Sequence, residues 1–211
     1  MLGIRMAGRA ILCIGGGKVA ARRIGALLAC GARITIVSPE LCEKLSAPVQ
    51  RNEISWVGRK FFPADLDQNP FLVIAATDDS GINAEIARLC ALRSLLCNRV
   101  DTSEDSTVVF PASGGEPACG ISVAILSGGA GPVFSAWLRD RVMYQIEKPG
   151  LSLLAGWLAE HRAGKSSSPE NLKQVHQAIL NSAVVDLLEA GRIDQARDLF
   201  DLMISSSPLD R

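Results

Sequence analysis

Gly15-Gly16-Gly17-Lys18-Val19-Ala20 carries the clearest chemistry in the chain. In the pattern G-x-G-x-x-A, Gly15 makes a tight turn, Gly17 lets backbone approach a pyrophosphate, and the small Ala20 lets a helix lie close on a sheet. Lys18 and Val19 open that helix. Its free N–H groups and the positive end of its dipole then face the phosphates. The chemistry indicated is capture of a dinucleotide; the plain alternative is a glycine-rich turn that binds nothing. Ser38-Pro39-Glu40 stands where such a site meets a ribose, and with Lys44 as the nearest following base, the acidic Glu40 favours NAD over NADP. Glu40 is equally placed to open the next helix as a solvated residue. Thr77 and Asp78 follow the apolar run Phe71 to Ala76, and ligands of open parallel sheets sit beyond the carboxyl ends of the strands. Asp101 ends another apolar run, Leu95 to Val100. Its carboxylate is either a base beside the cofactor or an ordinary turn residue closing a strand.

The elements that must position these groups follow from periodicity. Ala10 to Ile14 is a short apolar run, Val19 to Cys30 has helical spacing, and Arg33 to Val37 is β-branched and apolar. Ile54 to Val57 predicts a third strand, Phe71 to Ala76 a strand covered on both faces, and Leu95 to Val100 the next. Asp79 or Ser80 caps the helix carrying Ile82, Ile86, Leu89 and Cys90. The fold class is α/β, a Rossmann-like parallel sheet. The alternation then stops. Thr107 to Pro111 and Gly120 to Leu126 read as two strands joined by a turn at Gly114-Gly115-Glu116-Pro117, so the nucleotide domain closes near residue 113. Ser127-Gly128-Gly129-Ala130-Gly131-Pro132 is a flexible loop whose proline suits the first turn of a helix, Val133 to Ile146, with Trp137, Leu138 and Val142 on one side. From Gly150 to Arg211 the pattern is amphipathic helices with breaks at 164–169 and Gly191. The expected regions are therefore a nucleotide-binding domain, 1–113, a small strand-and-helix region, 114–149, and a helical tail, 150–211. His161 and His176 fall on the tail's helices and read as separate structural or solvated side chains.

Composition narrows the classes further. In 211 residues, 22 basic balance 22 acidic side chains, which removes any global electrostatic case for nucleic acid or an anionic membrane. No apolar run reaches the ~20 residues of a membrane span, and the start lacks the apolar core of a signal peptide. A soluble cytoplasmic protein is expected. Its six cysteines (Cys13, Cys30, Cys42, Cys90, Cys97 and Cys119) include no C-x-x-C and no paired Cys/His spacing. They predict buried, reduced thiols and no bound metal.

Taken together, these pieces resemble one family, the precorrin-2 dehydrogenase/sirohydrochlorin ferrochelatase module that forms the amino-terminal half of siroheme synthases. The resemblance rests on Gly15 to Ala20, Ala75-Ala76-Thr77-Asp78-Asp79, Asn83, Cys97-Asn98-Arg99-Val100-Asp101, Phe110-Pro111-Ala112, and Ser127-Gly128-Gly129 with Pro132, in order over roughly residues 7–147. It implies NAD-dependent oxidation of precorrin-2 to sirohydrochlorin, followed in some members by insertion of ferrous iron. It also implies a homodimer in which residues 114–149 form the dimerisation and substrate-cleft region. The family's catalytic aspartate corresponds to Asp101 and its loop serine to Ser127, with Gly128 beside it. The departure is Ala130-Gly131, where many members carry a hydroxyl residue before the proline.

The chemistry agrees with the residue types. Dehydrogenation sends a hydride to the nicotinamide and a proton to one positioned base, for which Asp101 is the candidate. Metal insertion needs a carboxylate to accept pyrrole protons and a passing ligand, so no permanent metal cage is required. A substrate rich in carboxylates calls for cations, and Arg99, Arg139, Arg141 and Lys148 are the candidates. Two other readings stand beside this one: a dehydrogenase that leaves iron to a separate chelatase, and a non-enzymatic nucleotide-sensing Rossmann module.

Overall fold

A computed structural model describes residues 3–116, 120–146, 149–164 and 169–206. The chain divides into two compact units, Met1–Phe110 and Pro111–Arg211.

In the first unit, strands β1 (Ala10–Ile14), β2 (Arg33–Val37), β3 (Ile54–Val57), β4 (Leu72–Ala75) and β5 (Leu96–Arg99) alternate with helices. The helices are α1 (Lys18–Ala29), α2 (Glu43–Gln50) and α3 (Ser80–Leu92), with a short 3-10 turn at Pro63–Gln68. The sheet is parallel throughout in the order β3-β2-β1-β4-β5. Both its faces are covered, and the strand period of two sorts the apolar side chains between them. Ile11, Cys13, Ile34, Ile36 and Ile74 pack with Ala20, Ile24 and Leu27 of α1. Leu12, Ile14, Val37, Val73 and Ala75 pack with Ile86, Ala87 and Cys90 of α3. Strand order reverses between β1 and β4, which opens a crevice beyond their carboxyl ends, where the glycine turn and Thr77 emerge.

The second unit holds an antiparallel pair, β6 (Ala112–Glu116) and β7 (Ile121–Ile125), and helices α4 (Pro132–Ile146), α5 (Pro149–Ala163), α6 (Pro169–Leu180), α7 (Ala183–Glu189) and α8 (Ile193–Ser205). Helices α5 to α8 close on Leu154, Trp157, Ile179, Val184, Leu188 and Phe200, with the Trp157 and Phe200 rings 5.4 Å apart.

Several expectations are corrected. Residues 107–111 are not a strand. Thr107 and Val108 instead donate to the Cys97 carbonyl at 2.9 and 3.0 Å, lying against β5 without forming a ladder. The strand sits at Ala112–Glu116, on glycines that had suggested a turn. Gly114 is there because a Cβ would meet Met143 Cγ at 2.9 Å, and at Gly115 one would meet the Ile121 carbonyl oxygen at 2.9 Å. Glycine permits close approach to α4 and β7, and a turn signal and a close-packing signal look alike in sequence. Pro117 and Cys119 lie outside the described residues, as do Lys148 and positions 165–168 of the predicted break. Cys13, Cys90 and Cys97 are buried, but Cys30 is exposed.

His161 and His176 are not separate. Nδ1 of His161 lies 3.1 Å from Nε2 of His176, and His161 is buried. They stand on different helices, so periodicity within either helix gives no sign of the pairing.

Candidate nucleotide site and its carboxylate

Three glycines build the turn after β1, each for a different reason. Gly15 has φ +114°, which L side chains rarely adopt, and a Cβ there would strike the Ala76 carbonyl oxygen at 2.1 Å. At Gly16 a Cβ would meet the Glu40 carbonyl oxygen at 2.1 Å and Ser38 Oγ at 2.8 Å. A Cβ at Gly17 would meet nothing within 4 Å, because that position faces the open cleft. Ala21 N–H donates to the Gly17 carbonyl at 3.0 Å, and the N–H groups before it have no carbonyl one turn earlier to accept them. Ala20 is fully buried, so a larger residue would push α1 off the sheet.

The loop after β2 is tied onto this turn. Cys42 N–H donates to the Gly16 carbonyl at 2.8 Å, and Ser38 Oγ to the Glu40 carbonyl at 2.5 Å. Trp56 Nε1 donates to the Ser38 carbonyl at 2.9 Å. The result is a cleft of about 1110 Å³ lined by Gly15, Gly17, Pro39, Glu40, Thr77 and Asp78, among others. Lys18 and Val19 are the first two residues of α1, outside that lining, with Val19 exposed. The cleft suits a dinucleotide: space opens where Gly17 has no side chain, helix N–H groups stand beside it, and an acidic residue lines the wall. A dinucleotide held there would take its phosphates on the turn and its ribose hydroxyls on Glu40.

Thr77 is held by Asn83, which is 1% exposed. Thr77 N–H and Oγ1 donate to Asn83 Oδ1 at 3.0 and 2.8 Å, and Asn83 Nδ2 donates to the Thr77 carbonyl at 3.1 Å. Asp79 caps α3, its Oδ1 accepting from Gly81 and Ile82 N–H at 2.8 and 3.1 Å. Asn83 was visible in the sequence only as part of the family pattern.

Asp101 stands two residues past the end of β5, and Arg99, the last residue of β5, holds it. Nε reaches Oδ1 at 2.9 Å and Nη2 reaches Oδ2 at 3.0 Å. The same guanidinium donates to Asp105 at 2.6 Å and to the Ser80 carbonyl at 3.2 Å. The Arg99 hydrogen bonds are the main reason the Asp101 carboxyl lies below the usual carboxylate range, and partial burial opposes them. Arg99 was expected to hold substrate carboxylates, but this guanidinium is occupied by the protein's own acids.

In the second unit, Ser127 Oγ lies 2.7 Å from Ser135 Oγ, and the Ser135 hydroxyl donates to the Gly131 carbonyl at 3.1 Å, fastening the loop to the start of α4. Gly128 has φ +58°. Arg139 pairs with Asp140 at 2.6 Å. Among the described residues no three His, Cys, Asp or Glu side chains cluster as a metal site would require, and no helix is long and apolar enough to cross a membrane.

Residues 2–112 match a family model described as "Putative NAD(P)-binding". The siroheme synthase of Sodalis glossinidius (strain morsitans) is 32% identical over 203 residues, which are 95% of this chain and 42% of that protein. The siroheme synthase of Thioalkalivibrio sulfidiphilus (strain HL-EbGR7) is 34% identical over 201 residues, 94% of this chain and 40% of that protein. The chain thus spans less than half the length of these curated relatives. Among solved structures, "SirC, precorrin-2 dehydrogenase" superposes with a TM-score of 0.75 at 21% identity, covering 96% of this chain and 98% of that one. At that identity the likeness is one of fold.

Proposed function

Since the chain belongs to the NAD(P)-binding family whose model spans residues 2–112, we propose that it binds NAD and oxidises precorrin-2 to sirohydrochlorin in siroheme biosynthesis. The observation that carries this reading is the pairing, at the carboxyl ends of adjacent strands β4 and β5, of a cleft suited to a dinucleotide with an ionised carboxylate at Asp101. The likeness to siroheme synthases supplies the substrate.

When bound, the nicotinamide supplies the hydride acceptor. The chain's own residues do the rest. Gly15, Gly17, Lys18 and Val19 present backbone to the pyrophosphate, Pro39 and Glu40 shape the ribose pocket and favour NAD, and Thr77 edges the nicotinamide end. Asp101 receives the proton released as the macrocycle is oxidised, and Arg99 keeps it ionised beforehand. Ser127, Gly128 and Arg139 contact the substrate. Residues 114–149 act as the dimerisation region, and the protein works in the cytoplasm.

The test is incubation of purified protein with precorrin-2 and NAD. Equal amounts of NADH and sirohydrochlorin should appear; no NADH above a control without protein would sink the assignment. Ferrous iron added afterwards tests for chelatase activity, read as siroheme formation.

A further inference from the structure

We propose that Trp56 is a positioning residue for nucleotide selection: its indole N–H holds the Ser38 carbonyl, and through Ser38 it sets the place of Glu40 in the cleft. The inference rests on the reading of Glu40 as the partner of the ribose hydroxyls.

The ladder between β2 and β3 pairs Ile36 with Trp56 and Val37 with Val57. Ser38 N–H adds one more bond, to the Val57 carbonyl at 3.2 Å, and there the pairing stops. Pro39 has no N–H with which to continue it. What fixes the chain beyond is the buried Ser38. Its carbonyl accepts from Trp56 Nε1 at 2.9 Å, and its Oγ donates to the Glu40 carbonyl at 2.5 Å. The Glu40 carbonyl in turn lies where a Cβ on Gly16 would be 2.1 Å away, so Glu40 is seated on the phosphate turn itself. Trp56 shares a face of the edge strand β3 with the buried Ile54, yet it remains 43% exposed. Burial therefore gives little reason for a tryptophan there, whereas Phe or Leu could not donate to Ser38. Gly58 makes room for the ring, since a Cβ there would stand 3.3 Å from Trp56 Cζ2. Trp56 itself lies outside the lining of the cleft, so any effect it has on the nucleotide passes through the Ser38 to Glu40 loop.

The test is calorimetric titration of the full chain with NAD and with NADP, which needs no turnover. Wild type should prefer NAD. Trp56→Phe keeps a ring and removes the N–H, so its Kd for NAD should rise about fivefold, the worth of one hydrogen bond. NADP carries a phosphate in place of the hydroxyl that a well-placed Glu40 accepts, so its Kd should change by less than about twofold and the preference should narrow. In a Glu40→Ala background the same Trp56→Phe change should leave the Kd for NAD within about twofold, because nothing remains for the indole to place. Gly58→Ala keeps the indole but crowds its ring, should narrow the preference in the same direction, and is the variant to read if Trp56→Phe does not fold. Equal weakening of NAD and NADP, or the same loss with and without the Glu40 carboxylate, would overturn the role of Trp56 and leave Glu40 in place. A wild-type protein that binds NAD and NADP equally is a different failure: it would overturn the ribose reading of Glu40 and this proposal with it.

Discussion

Arg99 grips Asp101 through two parallel hydrogen bonds, 2.9 and 3.0 Å long, although only Val100 separates them in the chain. The pairing holds the Asp101 carboxyl below the ordinary carboxylate range. A base works only when unprotonated, so kcat/KM for dehydrogenation should fall as pH drops through the Asp101 pKa. Arg99→Gln removes the charge and the fork that depress this pKa, so the acid limb of the pH profile should move to higher pH. An unmoved limb would mean that the acid limb belongs to another group.

The glycines at 16 and 17 should fail in different ways. Gly16→Ala places a Cβ 2.1 Å from the Glu40 carbonyl oxygen, a backbone atom in a loop tied down by Cys42, so the folded protein itself should be destabilised. Gly17→Val has room for its side chain in the protein alone but fills the space for the pyrophosphate. It should melt close to wild type and lose NAD binding by more than about tenfold. Calorimetry with and without NAD separates the two; a Gly17→Val protein with wild-type affinity would move the phosphates elsewhere.

The parallel sheet was legible because its evidence is local. Ile11, Ile34, Ile36 and Ile74 sit in short apolar runs bounded by turn residues, and the glycine turn lies between strand and helix as the motif requires. What escaped was non-local. The Arg99 grip on Asp101, the Asn83 bonds to Thr77 and the meeting of His161 with His176 depend on side-chain direction or on elements joined only in space. Gly114 and Gly115 misled for a related reason, since the atoms that demand their smallness belong to Met143 and Ile121.

The histidine pair makes the stability of the helical unit depend on pH. Burial, then the neighbouring His161 and Arg162, hold His176 below the ordinary histidine range. The unfolded chain takes up this proton first, near pH ~6.5. Stability is therefore full above that pH and is lost as pH falls from it toward the lower folded value. The melting temperature of the full chain should drop more steeply from pH 7.5 to 5.5 in wild type than in His176→Gln. Parallel curves would show that His176 does not titrate differently in the folded and unfolded chain over this range.

Val133, Trp137 and Tyr144 form an exposed apolar stripe at helical spacing on α4, with Arg141 over the Trp137 ring at 5.9 Å. Covered by a second copy, this stripe would be buried. Sedimentation should give about twice the chain mass of 22.4 kDa. Trp137→Asp should shift the protein toward monomer, and a wild-type monomer at micromolar concentration would contradict the dimer.

Asp101→Asn bears most directly on the account, because it keeps shape and turn-forming ability while removing the basic oxygen. The measurement is the single-turnover rate of NADH formation from precorrin-2, with NAD affinity and thermal melting followed in parallel. The predicted result is a folded protein that binds NAD within about twofold of wild type and forms NADH slower by roughly 10²–10⁴-fold. A folded Asp101→Asn protein that oxidises precorrin-2 at near wild-type rate would contradict the account and return Asp101 to the role of a residue that ends a strand.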